Sequence, residues 1–374
     1  MTARIVLFGA SGYTGRRTAQ ELVARGVEPV LAGRDAGKLA RLAGRLGGLP
    51  TAVADVTDAA AMRALIGEGD VLVSTVGPFL RLGEAALTVA VRAGAIYLDS
   101  TGEPPFIRRV FEEFGPLAEQ SGASLLTAFG NDFVPGNLAG ALALRLADKP
   151  AYRVETAYYV TGVGRAQVFS RGTFASLIEV AGEQSFSWRD GIRTEPTGAR
   201  MRTFQVAGRK RPALTIGASE HFALPRLHPA GPGKLHEVDV YLGWFGPATR
   251  ALHLSARLTP TLERLPGVGT LRRRGSAMLA ALAAGRVAQD PDVAALDQVT
   301  SHFVGVAYNE QGTPLAEVRL VAADPYRLTA RLLAWAAERA AEHGVSSPGA
   351  LGPVDAFGLD VLEAACAELG LTRA

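Results

Sequence analysis

Cysteine is nearly absent from this chain, which has only Cys366 among its 374 residues. One cysteine excludes an internal disulfide and a cysteine-rich zinc site, so we expect a buried, unreactive thiol and a reducing, cytoplasmic location. The six histidines lack the tight sequence spacing that metal ligands usually show. We therefore expect no metal site.

Long hydrophobic runs and a strong net charge are missing too. No apolar run approaches the ~20 residues that cross a membrane, and we expect no leader before the first apolar run at residues 4–8. The formal net charge of +3 is too small to indicate a nucleic-acid partner. With 48% hydrophobic and 20% charged residues, the composition is typical of a compact soluble protein.

Glycine, in contrast, is plentiful, with 43 residues, and three of them follow the first apolar run. Gly9, Gly12 and Gly15 are spaced G-x-x-G-x-x-G, which differs from the common dinucleotide fingerprint G-x-G-x-x-G. Glycines let the chain turn sharply and approach a pyrophosphate, whose charge then rests on the N-terminus of the following helix. A glycine-rich turn that serves packing alone is the alternative. We predict that the cofactor is bound by the loop residues Gly9, Ser11, Gly12, Tyr13, Thr14 and Gly15.

The end of the second predicted strand, residues 28–32, distinguishes NAD from NADP. An NAD site has a carboxylate about 20 residues after the glycine loop, whereas an NADP site has a cation for the 2′-phosphate. Arg34 directly follows this strand and Lys38 lies one helical turn later, while Asp35 is placed to cap the next helix. We therefore predict NADPH as the cofactor, with Arg34 and Lys38 near its 2′-phosphate. In the alternative, Asp35 binds the ribose and both cations are solvated.

Strand and helix patterns alternate over residues 1–150. This rhythm predicts an α/β fold with a Rossmann-type, doubly wound parallel sheet, which forms an NADP-binding domain. The predicted strands are 4–8, 28–32, 51–54, 70–76, 95–99 and 123–129, and the predicted helices are 15–25, 36–46, 58–66, 83–93, 104–121 and 136–146.

The pattern changes after residue 150. Residues 152–163 alternate as in a half-buried strand, so we predict an α+β substrate domain over 151–324 with a largely antiparallel sheet. Amphipathic helices at 325–343 and 354–369 have no strand of their own, and we expect residues 325–374 to pack back on the Rossmann domain. The other predicted elements of the substrate domain are strands 184–188, 192–195, 200–206, 236–244, 299–308 and 313–321 and a helix at 172–182.

Polar and small residues follow every predicted strand of the first domain. Ligands bind beyond the carboxyl ends of parallel strands, so these residues predict one groove running from adenine to nicotinamide. The further cofactor candidates are Asp55, Thr75, Val76, Gly77, Pro78, Phe79 and Gly102, and the catalytic candidates are Tyr97, Glu103, Asn131 and Asp132, with Asp99 nearby. Each polar group has a structural alternative: Asp55 can form a turn and Asp132 can cap a helix. The sequence alone does not single out a proton donor.

Residues 250–286 form a basic segment, with seven arginines against one acid, Glu263. Prolines and glycines make this segment loop-like. A solvated surface is one explanation. The functional alternative is an electrostatic contact with an acidic acyl carrier protein through Arg272, Arg273 and Arg274.

Several of these motifs resemble the saccharopine dehydrogenase-like NADP-binding family, and more closely its bacterial branch described as trans-acting enoyl reductases. The matching motifs are Gly9–Gly15, Ala32–Arg34, Val76–Phe79, Tyr97–Glu103 and Gly130–Pro135. The chain has Gly-Asn-Asp-Phe-Val-Pro where the family has Gly-Phe-Asp-Ser-Val-Pro, so we expect Asn131 and Phe133 to reshape the pocket. A looser similarity over residues 170–176 has Arg171 in place of a glycine.

The resemblance implies hydride transfer from NADPH. Family members reduce either C=C bonds of polyketide or lipid chains carried by a partner protein, or C=N bonds of amino-acid adducts. We favour C=C reduction of an apolar substrate, because the second domain offers many aromatic residues and few fixed cations on its strands. The alternatives are a C=N reductase and a non-catalytic, NADPH-binding regulator.

Overall fold

The computed structural model describes residues 3–162, 183–228, 233–246, 249–262, 290–291 and 293–374. The chain divides into two compact units. The first comprises Met1–Gly102, Phe106–Val134 and Pro325–Gly370, and the second comprises Glu103–Pro105, Pro135–Asp324 and Leu371–Ala374. None of the described helices is long and apolar enough to cross a membrane.

The strands and helices of the described ranges are numbered in chain order. The strands are β1 (Ile5–Phe8), β2 (Val30–Gly33), β3 (Thr51–Val53), β4 (Val71–Ser74), β5 (Ile96–Asp99), β6 (Ser124–Leu126), β7 (Arg153–Thr161), β8 (Gln184–Arg189), β9 (Ile192–Pro196), β10 (Met201–Val206), β11 (Arg209–Thr215), β12 (Glu237–Leu242), β13 (Thr300–Tyr308), β14 (Pro314–Ala323), β15 (Gly349–Ala350) and β16 (Thr372–Arg373). The helices are α1 (Tyr13–Ala24), α2 (Ala36–Arg45), α3 (Ala59–Ala64), α4 (Phe79–Leu82), α5 (Glu84–Ala93), α6 (Pro104–Arg109), α7 (Gly115–Ser121), α8 (Phe133–Leu146), α9 (Glu220–Ala223), α10 (Thr249–Leu262), α11 (Val293–Leu296), α12 (Pro325–His343), α13 (Pro353–Phe357) and α14 (Leu359–Glu368).

The first unit is built on a seven-stranded parallel sheet in the order β15-β6-β5-β4-β1-β2-β3. Every residue of β1 and β4 is buried, and the two strands pair with Leu7 beside Val73. Strands this apolar need cover on both faces, which the helical connections of a parallel sheet provide. The strand order reverses at β1, which lies between β2 and β4. The predicted Rossmann-type sheet is therefore confirmed.

The first unit departs from the sequence prediction in several places, two of which have a clear physical reason. Residues 104–121, predicted as one helix, form α6, a π-helical turn (Val110–Phe114) and α7. Pro116 near the start of α7 has no N–H to donate to the preceding turn, which explains the interruption. The seventh strand, β15, pairs with β6 but has only two residues, too few to show any periodicity.

The second unit contains a mixed sheet whose main path is β10-β11-β12-β7-β13-β14-β16, with β8 and β9 branching from β12. The β7–β12 pair is parallel and the other pairs are antiparallel, which confirms a largely antiparallel sheet. The sequence prediction missed β11, because its first half reads Arg-Lys-Arg-Pro and lacks an apolar alternation. An aromatic cluster on one face of this sheet includes Tyr159, Phe204, Tyr241 and Tyr308.

Helix α8 begins where the second segment of the first unit, Phe106–Val134, ends. Glycines allow this helix to approach the second sheet closely. A Cβ on Gly140 would lie 3.1 Å from the Thr156 methyl, and a Cβ on Gly305 would lie 2.3 Å from the Ala139 carbonyl oxygen. The helix that was predicted to close the first domain therefore packs within the second unit.

The basic segment is helical where the structure describes it. Residues 249–262 form α10, so the predicted loop-like character is wrong for this part of the segment. Apolar residues spaced along α10 outweigh its proline at position 260, which lies in the last turn. Arg272, Arg273 and Arg274 and the helix predicted at 172–182 lie outside the described residues.

Candidate functional site

The glycine loop between β1 and α1 has little room for side chains. Gly9 has a φ of +86°, and a Cβ there would lie 2.7 Å from the Thr75 hydroxyl oxygen. A Cβ on Gly15 would lie 2.3 Å from the Gly9 carbonyl oxygen, so the start of α1 can approach the loop only because residue 15 has no side chain. Gly12 is exposed at the crest of the loop. The predicted glycine positions are therefore each explained by backbone geometry or exposure.

The N-terminus of α1 is suited to an anion. Gly12 is its N-cap residue, no side chain caps the helix, and its first turn contains no acidic residue. The positive end of the helix dipole is thus not neutralised by a carboxylate of this turn. Tyr13 lies in the same turn, where the Arg17 guanidinium is 5.1 Å from its ring centre. Sequence reasoning missed the arginines of this turn, Arg16 and Arg17.

The residues after β2 have the charges of an NADP site. Arg34 and Lys38 are exposed, whereas Asp35 accepts a hydrogen bond from the Lys38 backbone N–H (2.9 Å) as the N-cap of α2. This hydrogen bond lowers the pKa of Asp35, with the charge of Lys38 contributing. The prediction that Asp35 caps this helix is confirmed. Its carboxylate is engaged by the backbone, while the Arg34 side chain is exposed beyond the strand.

Asp55 forms a turn at the end of β3. Its Oδ1 accepts hydrogen bonds from the Thr57 backbone N–H (2.9 Å) and the Thr57 hydroxyl (2.7 Å). These bonds lower the pKa of Asp55, and the charge of Arg34 acts in the same direction. The turn-forming alternative is therefore realised, and contact with adenine remains a prediction.

The loop after β4 lies against the glycine loop. The Thr75 hydroxyl is 3.2 Å from both the Phe8 and the Gly9 carbonyl oxygens, and the Val76 side chain lies beneath Gly9. Gly77 is exposed, while Pro78 and Phe79 are buried. Because Phe79 packs against Phe106, with ring centres 5.7 Å apart, this side chain supports the loop.

The carboxyl end of β5 is held by hydrogen bonds to a buried carboxylate. The Asp99 carboxylate is fully buried and accepts hydrogen bonds from the backbone N–H groups of Thr101 (2.8 Å) and Ala128 (2.9 Å) and from the Thr127 hydroxyl (2.8 Å). Burial raises the pKa of Asp99 to about 6 despite these donors. Asp99 therefore joins the loops that follow β5 and β6.

Tyr97 and Glu103, two of the four catalytic candidates, are both fully buried. Burial raises the pKa of the Tyr97 hydroxyl well above its usual range, and nearby Asp99 adds to the effect. Glu103 belongs to the second unit, whereas Gly102 belongs to the first. Gly102 is exposed, and no atom lies within 4 Å of the position that its Cβ would take. Neither placement favours Tyr97 or Glu103 as the proton donor over the other two catalytic candidates, Asn131 and Asp132.

Asn131 and Asp132 form a pair in the turn after β6. The Asn131 side-chain amide donates to Asp132 Oδ1 (3.2 Å), and the Asn131 backbone N–H donates to the Thr329 hydroxyl (3.0 Å). The Asn131 carbonyl oxygen Oδ1 is buried and has no partner in the described part of the chain. Burial raises the pKa of Asp132 to about 7, although the hydrogen bond from Asn131 opposes the shift. The Asp132 carboxyl group is therefore suited to hold or release a proton near neutral pH.

Strand order places these groups along one edge of the first sheet. The ends of parallel strands lie at the same edge, so the sequence of loops from β3 to β6 is Asp55, Arg34, the glycine loop, Thr75–Phe79, Asp99 and Asn131–Asp132. The glycine loop and the β4 loop flank the point where the strand order reverses, which is where open α/β sheets bind nucleotides. The first unit therefore fits NADP(H): glycines and a helix N-terminus for the pyrophosphate and Arg34 for the 2′-phosphate.

The second sheet corrects one expectation. Its strands were expected to offer few fixed charges, but they carry an alternating row of four arginines and four acids. Glu155 and Asp239, on the paired strands β7 and β12, are buried, and each lies within 3.3 Å of two arginines. In order along the row the residues are Arg202, Glu155, Arg153, Glu237, Arg189, Asp239, Arg200 and Glu195. The pattern was missed because these residues come from separate strands.

The chain resembles known proteins in sequence and in fold. Residues 5–125 match the family described as the saccharopine dehydrogenase NADP binding domain. A Mycobacterium tuberculosis protein with the provisional name of trans-acting enoyl reductase is 33% identical over 184 residues, which are 47% of this chain and 43% of that protein. The trans-acting enoyl reductase of Mycobacterium ulcerans is 34% identical over 140 residues, 36% of this chain and 34% of that protein. The chain thus spans less than half the length of these relatives.

Among solved structures, saccharopine dehydrogenase (L-Glu forming) from Saccharomyces cerevisiae has a TM-score of 0.60 at 15% sequence identity. The match covers 100% of this chain and 99% of that one. At this identity the likeness shows a shared fold. Residues 5–125 are therefore similar to the saccharopine dehydrogenase NADP binding domain, and the chain shares the fold of the yeast enzyme.

Proposed function

We propose that this protein is an NADPH-dependent oxidoreductase that reduces a C=C bond conjugated to a carbonyl group. The observation that carries the proposal is the Asn131–Asp132 pair, a carboxyl group with a pKa of about 7 at the ligand-binding edge of an NADP-binding sheet. The names of the sequence relatives support the same reaction class. The matched parts are 43% and 34% of these relatives, and the activity of the whole chain is our proposal.

In this proposal Asp132 is the proton donor. When bound, NADPH supplies a hydride for the β-carbon of the substrate, and negative charge develops on the carbonyl oxygen. The Asn131 amide has a second N–H that can stabilise this charge. The protonated Asp132 carboxyl group then gives its proton to the α-carbon, and solvent reprotonates it. The substrate gains one hydride and one proton, and one C=C π bond is lost.

The cofactor contacts are assigned to the residues whose geometry suits them. The glycine loop and the N-terminus of α1 bind the pyrophosphate, and Arg34 with Lys38 binds the 2′-phosphate. Thr75, Val76 and Gly77 adjoin the ribose and nicotinamide. Asp55 is assigned to the adenine end, where its Oδ2 is not used by the turn described above.

The substrate is assigned to the apolar, unsaturated class, in free form or attached to an acidic acyl carrier protein. Support for a carrier comes from the words "trans-acting" in the relatives' names and from the basic segment. The contact through Arg272, Arg273 and Arg274 and the cytoplasmic location stay predictions.

A second candidate is reduction of a C=N bond in an amino-acid adduct. The arginine row of the second sheet favours it, because guanidinium groups bind carboxylates. In the structure, however, each of these arginines already contacts a carboxylate of the chain. Amino-acid binding would have to displace these bonds, so we rank this candidate second.

The test is NADPH oxidation by the purified chain with two sets of acceptors. One set contains α,β-unsaturated thioesters of pantetheine, and the other contains 2-oxo acids mixed with amines. We expect turnover with the thioesters and none with saturated thioesters or simple ketones. Turnover with the imine mixtures alone would select the second candidate. NADPH binding without turnover of either set would indicate a non-catalytic regulator.

A further inference from the structure

Thr329, which lies far from Asp132 in sequence, contacts the turn that carries this proposed proton donor. Thr329 lies one turn into α12, and its hydroxyl oxygen accepts the Asn131 backbone N–H at 3.0 Å. The same hydroxyl donates to the Pro325 carbonyl oxygen at 2.9 Å. Because its single proton is directed to Pro325, a lone pair faces Asn131.

The Thr329 side chain is held by packing as well. A Cβ on Gly130 would lie 3.4 Å from the Thr329 methyl carbon, so this methyl group packs closely against the backbone just before the turn. Threonine is β-branched and has few χ1 rotamers, which keeps its hydroxyl group oriented toward both hydrogen-bond partners. Valine has the same shape but can make neither hydrogen bond.

The beginning of α12 also touches the glycine loop. Tyr326, three residues before Thr329, packs edge-on against Tyr13, with ring centres 5.1 Å apart. Residues three apart share one face of a helix. The first two turns of α12 therefore contact both the glycine loop and the Asn131–Asp132 turn.

We propose that Thr329 is a positioning residue, which fixes the Asn131–Asp132 turn against the beginning of α12 so that the proton donor keeps its place relative to the glycine loop. This inference rests on the proposed function, in which Asp132 supplies the proton. Thr329 itself touches neither the substrate nor the cofactor in this account. Small displacements of a positioned group can cost up to about a hundredfold in rate, so loss of this bond should be visible in kcat.

The test compares Thr329→Val and Thr329→Ala with Thr329→Ser under saturating NADPH and an α,β-unsaturated thioester. We expect the first two to lower kcat about tenfold or more, with the KM for NADPH changed less than about twofold. Serine keeps the hydroxyl, so it should restore kcat to within about threefold of the original value. If valine does not fold, as judged by circular dichroism, the alanine variant provides the same comparison.

A matched control is Thr18→Val. Thr18 is a buried helical threonine whose hydroxyl donates to the Thr14 carbonyl oxygen at 3.0 Å, but it does not contact the Asn131 turn. We expect its kcat to stay within about twofold of the original, because it lacks the second bond.

The outcomes separate this inference from the proposed function. If Thr329→Val keeps full kcat while Asp132→Asn loses activity, Thr329 has no positioning role and the proposed function stands. If Thr329→Ser loses as much kcat as Thr329→Val, the hydroxyl group does not account for the loss and the inference is wrong. Failure of the original chain to reduce any enoyl thioester would refute the proposed function, and the inference with it.

Discussion

Asp132 is the residue on which the proposed chemistry depends. Burial raises its pKa to about 7, so the carboxyl group is protonated below that pH and ionised above it. If it donates the proton, kcat/KM for an enoyl thioester should be constant below about pH 7 and fall tenfold per pH unit above it. Asp132→Asn should lower the rate about 10²–10⁴-fold and abolish the fall in kcat/KM at high pH. A flat profile in the original chain across this range would argue against the assignment.

The same substitution has a second readout that needs no substrate. Between the ordinary carboxyl pKa and about 7, folded Asp132 binds a proton that the unfolded chain has released. Its contribution to stability is therefore present at low pH and lost as the pH rises through about 7. The Tm of Asp132→Asn should exceed that of the original chain at pH 8, and the difference should shrink toward pH 5.

Arg34 is the residue that should decide cofactor choice. It is exposed directly after β2, while its neighbour Asp35 is used as a helix cap. Arg34→Ala should raise the Kd for NADPH about 10–100-fold, the usual range for a lost charge-assisted hydrogen bond, and leave the Kd for NADH unchanged. Fluorescence titration measures both constants. Arg41→Ala, which removes another exposed arginine of α2, serves as the control and should change the Kd for NADPH less than about twofold.

At the scale of elements, the glycine loop is defined by close backbone contacts. Gly15→Ala should destabilise the chain by about 1–3 kcal/mol, because its Cβ would lie 2.3 Å from the Gly9 carbonyl oxygen. It should also weaken NADPH binding. Gly44→Ala is the contrasting change: Gly44 is exposed within α2, with nothing within 4 Å of its Cβ position. Alanine there should stabilise the chain by about 0.5–1 kcal/mol. Equal effects of the two substitutions in urea unfolding would contradict this reading of the loop.

The sequence predicted the elements whose pattern is local. Strands β1 and β4 are apolar runs followed by a loop, and the Asp35 cap follows from its position before an amphipathic helix. Strand β15 and the π-helical turn could not be predicted, because one is too short for a period and the other depends on packing around Pro116. The loop-like character predicted for α10 came from prolines and glycines of the basic segment, and these obscured the apolar periodicity of the helix.

The candidate site shows the same division. The glycine loop, Arg34 and the Asn131–Asp132 pair were proposed as site residues from residue type and strand position, and they stay predictions. Thr329 lies 198 residues away from Asn131 in sequence, and only the folded chain brings them together. Likewise, the alternating row of arginines and acids on the second sheet comes from five separate segments of the chain, so no single stretch of sequence displays it.

At the scale of the whole molecule, the two units carry different kinds of evidence. The first unit contains the family match, the cofactor geometry and the proposed proton donor. The second unit combines buried aromatic residues with a row of paired charges. Aromatic content alone therefore does not establish an apolar substrate, because the aromatic residues of this cluster form the core of the second sheet. Substrate class has to be decided by chemistry rather than by composition.

The most direct measurement follows the hydride itself. The chain is incubated with NADPH deuterated at the transferring position of C4 and an α,β-unsaturated thioester, and the product is analysed by mass spectrometry and NMR. We predict one deuterium at the β-carbon and one solvent-derived hydrogen at the α-carbon. Deuterium on the carbonyl carbon, or label only in an amine formed from the competing imine mixture, would contradict enoyl reduction.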